Sequence, residues 1–430
     1  VTLTFTEAVS LSGGNLTITL NSGATLTVAP SDLTSATSVT KVYTVASSQT
    51  SADLAISSLS LASGATIKDA AGNDATISSL TANVGDSDAI VIDTTAPAVG
   101  TVTTIATDSG ASGDRITSDN DDTSTVWTVN VGSETGLTLS VNLTGTGDVT
   151  SKFTAADTGN GNYTLTVKSG QTLADGVYTV TSTDAAGNAT AFTQTITVDS
   201  TAATISSVAI TSATGAANNT LNVGDVVSVT VTFNEAVNVT GTPVVALDIG
   251  GTAKNAAYDS GTGTTALVFK YTIESGLTDA DGISIGANAL AQVGSSTIKD
   301  VAANTATITH SAVSANSSYK VDTTAPAAGT IGTITNDTGA SGDRITSDND
   351  AGTTFAVQVG TEAGLTLTVL DGSSNDITSS KFDTPTDSGS GAYILTVKSG
   401  TTLADGTYTV KATDAAGNAT NASQTFTIDT

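Results

Sequence analysis

At 430 residues the chain is too long for one ordinary domain and has room for three or four of about 100 to 120 residues, each able to bury its own core. Forty acidic against thirteen basic residues give a formal charge of −27, which repels nucleic acid and anionic lipid and attracts divalent cations. No cysteine, one His and one Trp exclude a disulfide framework and thiolate metal ligation, and leave little for imidazole catalysis.

Only 12% of residues are charged, so the acidity is not that of a disordered tail; Thr, Ser, Ala, Val and Gly make a strand-forming composition. No apolar run approaches the ~20 residues of a membrane helix, and direct membrane insertion is not expected. The sequence opens inside an apparent strand, Val1-Thr-Leu-Thr-Phe5, and contains no Met. It reads as a segment of a longer protein, with any signal peptide or secretion tail outside it. A large acidic array without cysteine suits an exported bacterial surface protein that meets extracellular calcium.

In chain order, the first unit carries Phe5-Thr-Glu7-Ala-Val, then Asp53-Leu-Ala-Ile-Ser-Ser-Leu, which is expected to make one helical turn at most, and Ile67-Lys-Asp69-Ala-Ala-Gly-Asn73. It ends on the linker Val91-Ile-Asp93-Thr-Thr-Ala-Pro97, whose proline holds the preceding residues extended. The second unit opens with Gly110-Ala-Ser-Gly-Asp114-Arg-Ile-Thr-Ser-Asp119-Asn-Asp121, repeated without a change at 339–350. Asp114, Asp119 and Asp121, with Asp108 and Asp122 close by, place several oxygen ligands in one short loop that Gly and Ser let fold round a hard cation. Asp343, Asp348 and Asp350 repeat them. Further on come strands such as Tyr163-Thr-Leu-Thr-Val167, the segment Leu173-Ala-Asp-Gly-Val-Tyr178, and the turn Thr183-Asp-Ala-Ala-Gly-Asn188. Trp127 is expected to fill this unit's core.

A weaker linker, Val198-Asp199-Ser-Thr-Ala-Ala, leads to a third unit with Val226-Val-Ser-Val-Thr-Val-Thr-Phe233, Asn234-Glu235 and Ile298-Lys-Asp300-Val-Ala-Ala-Asn304. This unit resembles the first, which has lost about 30 residues at its start, where the third has residues 203–231. Val321-Asp322-Thr-Thr-Ala-Pro326 opens a fourth unit that nearly copies the second, with Leu403-Ala-Asp-Gly-Thr-Tyr408 and Thr413-Asp-Ala-Ala-Gly-Asn418. Apolar and polar residues alternate at period two, bounded by Gly, Asn and Asp clusters. The fold class is therefore all-β: four tandem Ig-like β-sandwiches in an elongated array of order A-B-A-B, covering 1–93, 94–199, 200–322 and 323–430.

The Asp-Thr-Thr-Ala-Pro linkers, Phe233-Asn-Glu-Ala-Val, Gly241-Thr-Pro-Val-Val-Ala-Leu-Asp-Ile-Gly250 and the Asp-Ala-Ala-Gly-Asn turns resemble the bacterial immunoglobulin-like repeats of giant calcium-dependent adhesins of the type I secreted, RTX kind. They are also similar to Ig-like domains of S-layer proteins. The resemblance implies calcium at domain junctions, stiffening a rod. The sequence departs from the pattern at Ala202 and Ala203, which replace Ala-Pro, and at Ala303, which replaces a glycine.

In a sandwich of Ig topology, the loop after the second strand and the turn between the last two lie at the end facing the incoming linker. Glu134, Asp184 and Asn188 are then expected to face Asp93; Glu235, Asp300 and Asn304 to face Asp199; and Glu362, Asp414 and Asn418 to face Asp322. Asp225 joins the candidate metal ligands. Two carboxylates about 4 Å apart repel by roughly 4 kcal/mol at an effective dielectric near 20, so such clusters call for a cation. Six to eight oxygens at about 2.3–2.6 Å suit calcium better than magnesium.

The turns would hold without metal, because Gly and Asn tolerate positive φ. Asp279-Ala-Asp281-Gly282 reads as a plain turn, for it lacks the closing glutamate of an EF-hand loop. Catalysis has no support: no nucleophile elbow, His-Glu-x-x-His or phosphate loop occurs. The favoured role is the extension region of a surface adhesin, a rod on the order of 150 Å. The alternative is a lattice or filament subunit, an S-layer or sheath, whose partners are further copies of itself. A third reading gives loops at 250–265 a carbohydrate or protein contact.

Overall fold

The computed structural model describes residues 1–430 except 88 and 122. Period-two patterning makes strands, as expected. Asn162–Val167 and Val126–Asn130 bury every second side chain, because successive side chains of a strand point to opposite faces. Three short helices, Pro30–Asp32, Thr150–Lys152 and Thr378–Lys381, are found among the described residues. None is long and apolar enough to cross a membrane. The helical turn expected at 53–59 is instead the strand Ile56–Leu61, which pairs antiparallel with Leu16–Leu20 and buries Ile56. Sheet pairing decides the conformation there.

The chain divides into two compact units, Val1–Thr201 and Ala202–Thr430. In the first, residues 1–92 form two three-stranded sheets, one ordered Ala36–Thr40, Thr2–Ser12, Thr66–Asp69 and the other Thr25–Val28, Leu16–Leu20, Ile56–Leu61. Leu3, Val9, Leu16, Ile18, Leu33 and Ile67 are buried in their common core.

Residues 101–198 form a sandwich with its own core. One sheet runs Phe153–Gly159, Asn162–Val167, Val126–Asn130, Thr101–Ile105; the other runs Gly147–Asp148, Thr138–Leu143, Gly176–Thr183, Ala189–Val198, Ile116–Thr117. The chain leaves the first edge strand, crosses through the acidic stretch and pairs Ile116–Thr117 parallel with the last strand. With the second and fifth long strands in one sheet and the third, sixth and seventh in the other, this is the Ig order. Trp127 is fully buried at ring-centroid distances of 4.8 Å from Phe153 and 5.4 Å from Tyr178. The Tyr178 hydroxyl donates to Ala174 O at 2.6 Å, and that of Tyr408 donates to Ala404 O at 2.7 Å. The repeated Leu-Ala-Asp-Gly-x-Tyr segment is thus the corner of an Ig sandwich, where a tyrosine ties the start of a strand to the backbone before it.

In the second unit, residues 330–428 repeat that sandwich as Thr330–Ile334, Thr354–Gln358, Ala392–Thr396, Thr386–Gly389 against Ile345–Thr346, Ala419–Ile428, Gly406–Thr413, Thr366–Leu370. Residues 203–321 gather around a separate core that includes Val229, Phe233, Leu247, Phe269 and Ile298. There Val226–Thr240 pairs with Ile205–Thr214 on one side and Thr264–Thr272 on the other, then with Thr297–Asp300 at its far end. The stretch expected as open loops at 250–265 is a hairpin: Thr252–Ser260 and Thr264–Thr272 pair across a turn with Gly261 and Gly263 at φ of 109° and 78°.

Candidate functional site

The Asp-Ala-Ala-Gly-Asn turns share one hydrogen-bond pattern. Asp184 Oδ1 accepts from the amides of Ala186 and Asn188, both at 2.9 Å, and its Oδ2 accepts from Asn188 Nδ2 at 2.9 Å. Asp414 does the same with Ala416 and Asn418, and Asp69 with Ala71 and Asn73. Asp300 accepts both the amide and the Nδ2 of Asn304 at 2.9 Å. The residue before the Asn has positive φ: 92° at Gly187, 90° at Gly417 and 67° at Ala303. Alanine resists that conformation, and the pairing of Asp300 with Asn304 holds it there. The side-chain amide of Asn188 holds the Asp184 carboxyl below its usual range, with backbone amides adding to the effect.

Two of these turns reach a linker within their own unit. Asn188 Nδ2 also donates to Asp93 O at 3.1 Å, and Asn418 Nδ2 to Asp322 O at 2.8 Å. The linker aspartates fold back on themselves, Asp93 Oδ1 accepting from Thr95 N and Asp322 Oδ1 from Thr324 N, both at 2.9 Å. Glu134 Oε1 accepts from Ala98 N at 3.1 Å. Glu362 is pushed above the ordinary glutamate range, first by partial desolvation and then by the negative charges of Asp414 and Asp322. The expected partners of Asp93 and of Asp322 are therefore assembled around their linkers.

Sequence reasoning missed what packs on the second of these turns. Asn218 Nδ2 and Asn222 Nδ2 donate to Ala415 O and Ala416 O, each at 2.8 Å, from residues nearly two hundred positions earlier. No motif marks them. It also missed Asp371-Gly-Ser-Ser-Asn375, which forms the same Asp-to-Asn turn in a loop away from any linker, so the turn stands without a junction.

Asp199 ends its strand, donates its amide to Thr117 O at 2.9 Å and accepts from Thr201 N at 3.3 Å. Glu235 does not occupy a loop as expected. It lies within Val226–Thr240, at the register shift between Thr232 and Val237 where the strand changes partners. There its carboxylate and that of buried Asp300 present oxygens within 4.8 Å of each other. Asp225 closes a turn, its Oδ2 accepting from Asn222 N at 2.8 Å. Asp279 pins its turn by accepting from Gly282 N and Gly250 N at 2.8 and 2.9 Å; burial raises its carboxyl.

In the acidic stretches the carboxylates serve different parts of the loop. Asp114 and Asp343 accept from Ile116 N and Ile345 N at 2.9 Å; Asp119 accepts from Ser124 Oγ at 3.1 Å; Asp348 accepts from Asn336 Nδ2, which lowers its carboxyl. Asp121 and Asp350 use main-chain carbonyls, to Thr125 Oγ1 and Thr353 N. Asp122 lies outside the described residues. Among the described residues no three carboxylates of either stretch come within 4.8 Å of one another. Asp108 Oδ2, however, accepts from Gly113 N while its Oδ1 is buried without a hydrogen-bond partner, and the matching Asp337 Oδ1 is orphaned in the same way.

These donors are carboxylate and carbonyl oxygens, the chemistry that calcium takes. Glu362, partly desolvated beside two carboxylates, and two orphaned acceptors at matching positions are groups a hard cation would suit.

Residues 323–430 match the family model described as bacterial Ig-like domain. No curated protein matches the chain. Among solved structures, the chain is similar to a tetra-tandem repeat in the extending region of a large adhesion protein, at 18% identity and a TM-score of 0.25, covering 99% of this chain and 93% of that one. It is also similar to protocadherin gammaB7 EC3-6, at 14% identity and 0.22, covering 99% and 96%. The titin fragment I67-I69 gives 9% identity and 0.24, covering 73% and 93%. The chain is an all-β array of tandem Ig-like repeats, and its residues 323–430 carry the match to the bacterial Ig-like domain.

Proposed function

We propose that this array is a non-catalytic extension segment of a bacterial surface protein, four Ig-like modules with calcium stiffening the joints at Asp93 and Asp322. The observation that carries the reading is at Asp322, where Glu362, partly desolvated and beside the carboxylates of Asp414 and Asp322, is held above the ordinary glutamate range. A divalent ion reverses that repulsion. Asp93, Glu134, Asp184 and Asn188 offer the same ligand types at the first joint. Modules that only hold a distal head away from a cell need stiffness and no cleft.

Small-angle scattering of the whole chain tests this. The maximum dimension is expected to be larger and the profile sharper in calcium than in chelator. An unchanged profile contradicts calcium at the joints, and growth into ordered arrays on adding calcium would favour a lattice subunit instead.

A further inference from the structure

The acidic stretch that occurs twice holds a strand of two residues. Ile116–Thr117 runs parallel to the end of the last strand of its module, with Ile116 opposite Thr197 and Thr117 opposite Val198. Arg115 O accepts from Thr197 N and Thr117 O from Asp199 N, both at 2.9 Å. The other side of the short strand is tied to the loop around it. Asp114 Oδ1 accepts from Ile116 N at 2.9 Å, Ile116 O accepts from Ser109 N at 3.0 Å, and Ser118 N donates to Ser109 Oγ at 2.8 Å. Thr117 is fully buried, its hydroxyl donating to Thr107 O at 2.7 Å and accepting from Asp119 N at 3.0 Å.

The second copy repeats the arrangement. Thr346 is fully buried, and its hydroxyl donates to Asn336 O at 2.9 Å and accepts from Asp348 N at 3.0 Å. Asp343 accepts from Ile345 N, while Arg344 O and Thr346 O accept from Thr427 N and Asp429 N at 2.9 and 3.0 Å. The carboxylates that do not converge on one point thus share one task, which is to hold two residues in place.

The direction of the paired strands sets how they meet tension. The chain reaches the short strand from the incoming linker and leaves the last strand into the next one. Tension along the chain therefore pulls two parallel neighbours in opposite directions along a common axis, and their hydrogen bonds are sheared together instead of opening one after another. Thr101–Ile105, which lies upstream, is an edge strand with one neighbour and a register shift between Val102 and Thr104, so it yields more easily.

We infer that the repeated acidic stretch is a mechanical clamp: through its hydrogen bonds it fixes Ile116–Thr117 and Ile345–Thr346 against the last strands, so that the second and fourth modules resist unfolding under tension. The inference rests on the reading of the array as an extension segment, since only a chain that is pulled has use for such a device.

Single-molecule stretching of the full chain tests it, in chelator so that calcium does not contribute. The absence of cysteine allows handles at chosen sites. With handles on Ala96→Cys and Thr201→Cys, both at exposed positions, tension crosses the parallel pair. With handles on Thr123→Cys, also exposed, and Thr201→Cys it enters downstream of that pair. Asn120 Nδ2 donates to Ser200 Oγ at 2.9 Å, so these two handles sit at one end of the module and the last strand peels from there. The module is expected to yield at a force about twofold or more higher in the first geometry, because forced unfolding follows the barrier along the pulled path. Thr117→Val, which removes both hydroxyl bonds from a side chain of nearly the same shape, is expected to lower the first force and leave the second almost unchanged. Equal forces in the two geometries, or an equal loss in both from Thr117→Val, would overturn the clamp. Neither result bears on the scattering test of the joints, so the two readings fail separately.

Discussion

The joint at Asp322 and the joint at Asp93 are built from the same parts and sit in different surroundings. In both, a linker carbonyl accepts from the Asn of an Asp-Ala-Ala-Gly-Asn turn. At Asp322 the hairpin before Val226 also reaches over, and Asn218 and Asn222 cover the turn, leaving Asp414 at 8% and Ala416 at 2% exposure. At the Asp93 joint Ala186 is exposed and Asp184 only partly covered. Identical ligand types can therefore carry unequal weight: the covered joint has less water to share its charge, so it gains more from a cation and loses more from a missing carboxylate.

Removing the buried carboxylate separates the two joints most widely. Asp414→Ala strands the amides of Ala416 and Asn418 in a covered turn and is expected to cost about 2–3 kcal/mol locally, against about 1 kcal/mol for Asp184→Ala. Amide exchange at residues 416 and 418, compared with 186 and 188, reads the difference; equal losses would mean that the covering hairpin is energetically idle. Asn218→Ala and Asn222→Ala should each cost about 1 kcal/mol and bring exchange at the Asp414 turn towards that of the Asp184 turn.

Ala303→Gly tests the third turn, where alanine holds φ at 67°. A gain of roughly 1 kcal/mol is expected in denaturant unfolding monitored on the second unit. A loss would show that the methyl group packs usefully.

The smallest effect concerns Glu362. Its folded-state value is raised, so its contribution to the joint is fully present below the ordinary glutamate range and fades as pH rises through the raised value. In chelator, the Asp322 joint should accordingly loosen as pH climbs from that range towards neutrality, and Glu362→Gln should flatten the dependence. Scattering profiles or linker exchange across that pH series would show it. Calcium should suppress the trend in the unsubstituted chain.

Much of this was legible in the chain. Period-two alternation marks the strands because only one face of each is buried, and the Asp-to-Asn spacing marks the turns because both residues act within five positions. What escaped depends on distance. Asn218 and Asn222 meet Ala415 and Ala416 only through the packing of two modules. Glu235 reads as a loop residue because Asn and Glu interrupt the apolar alternation; the strand instead passes through a register shift and takes a new partner. The acidic stretch looked like one converging loop, yet Asp108 and Asp114 each tie down a nearby backbone amide and Asp119 a serine hydroxyl.

The account rests on a cation drawing the linker and the turn together at both joints. Amide hydrogen exchange of the whole chain at residues 93–98 and 322–327, in calcium and in chelator, measures that directly. Protection should rise about tenfold or more in calcium, more at 322–327 than at 93–98, while the sandwich cores stay unchanged. Identical exchange at both linkers in the two conditions would contradict it.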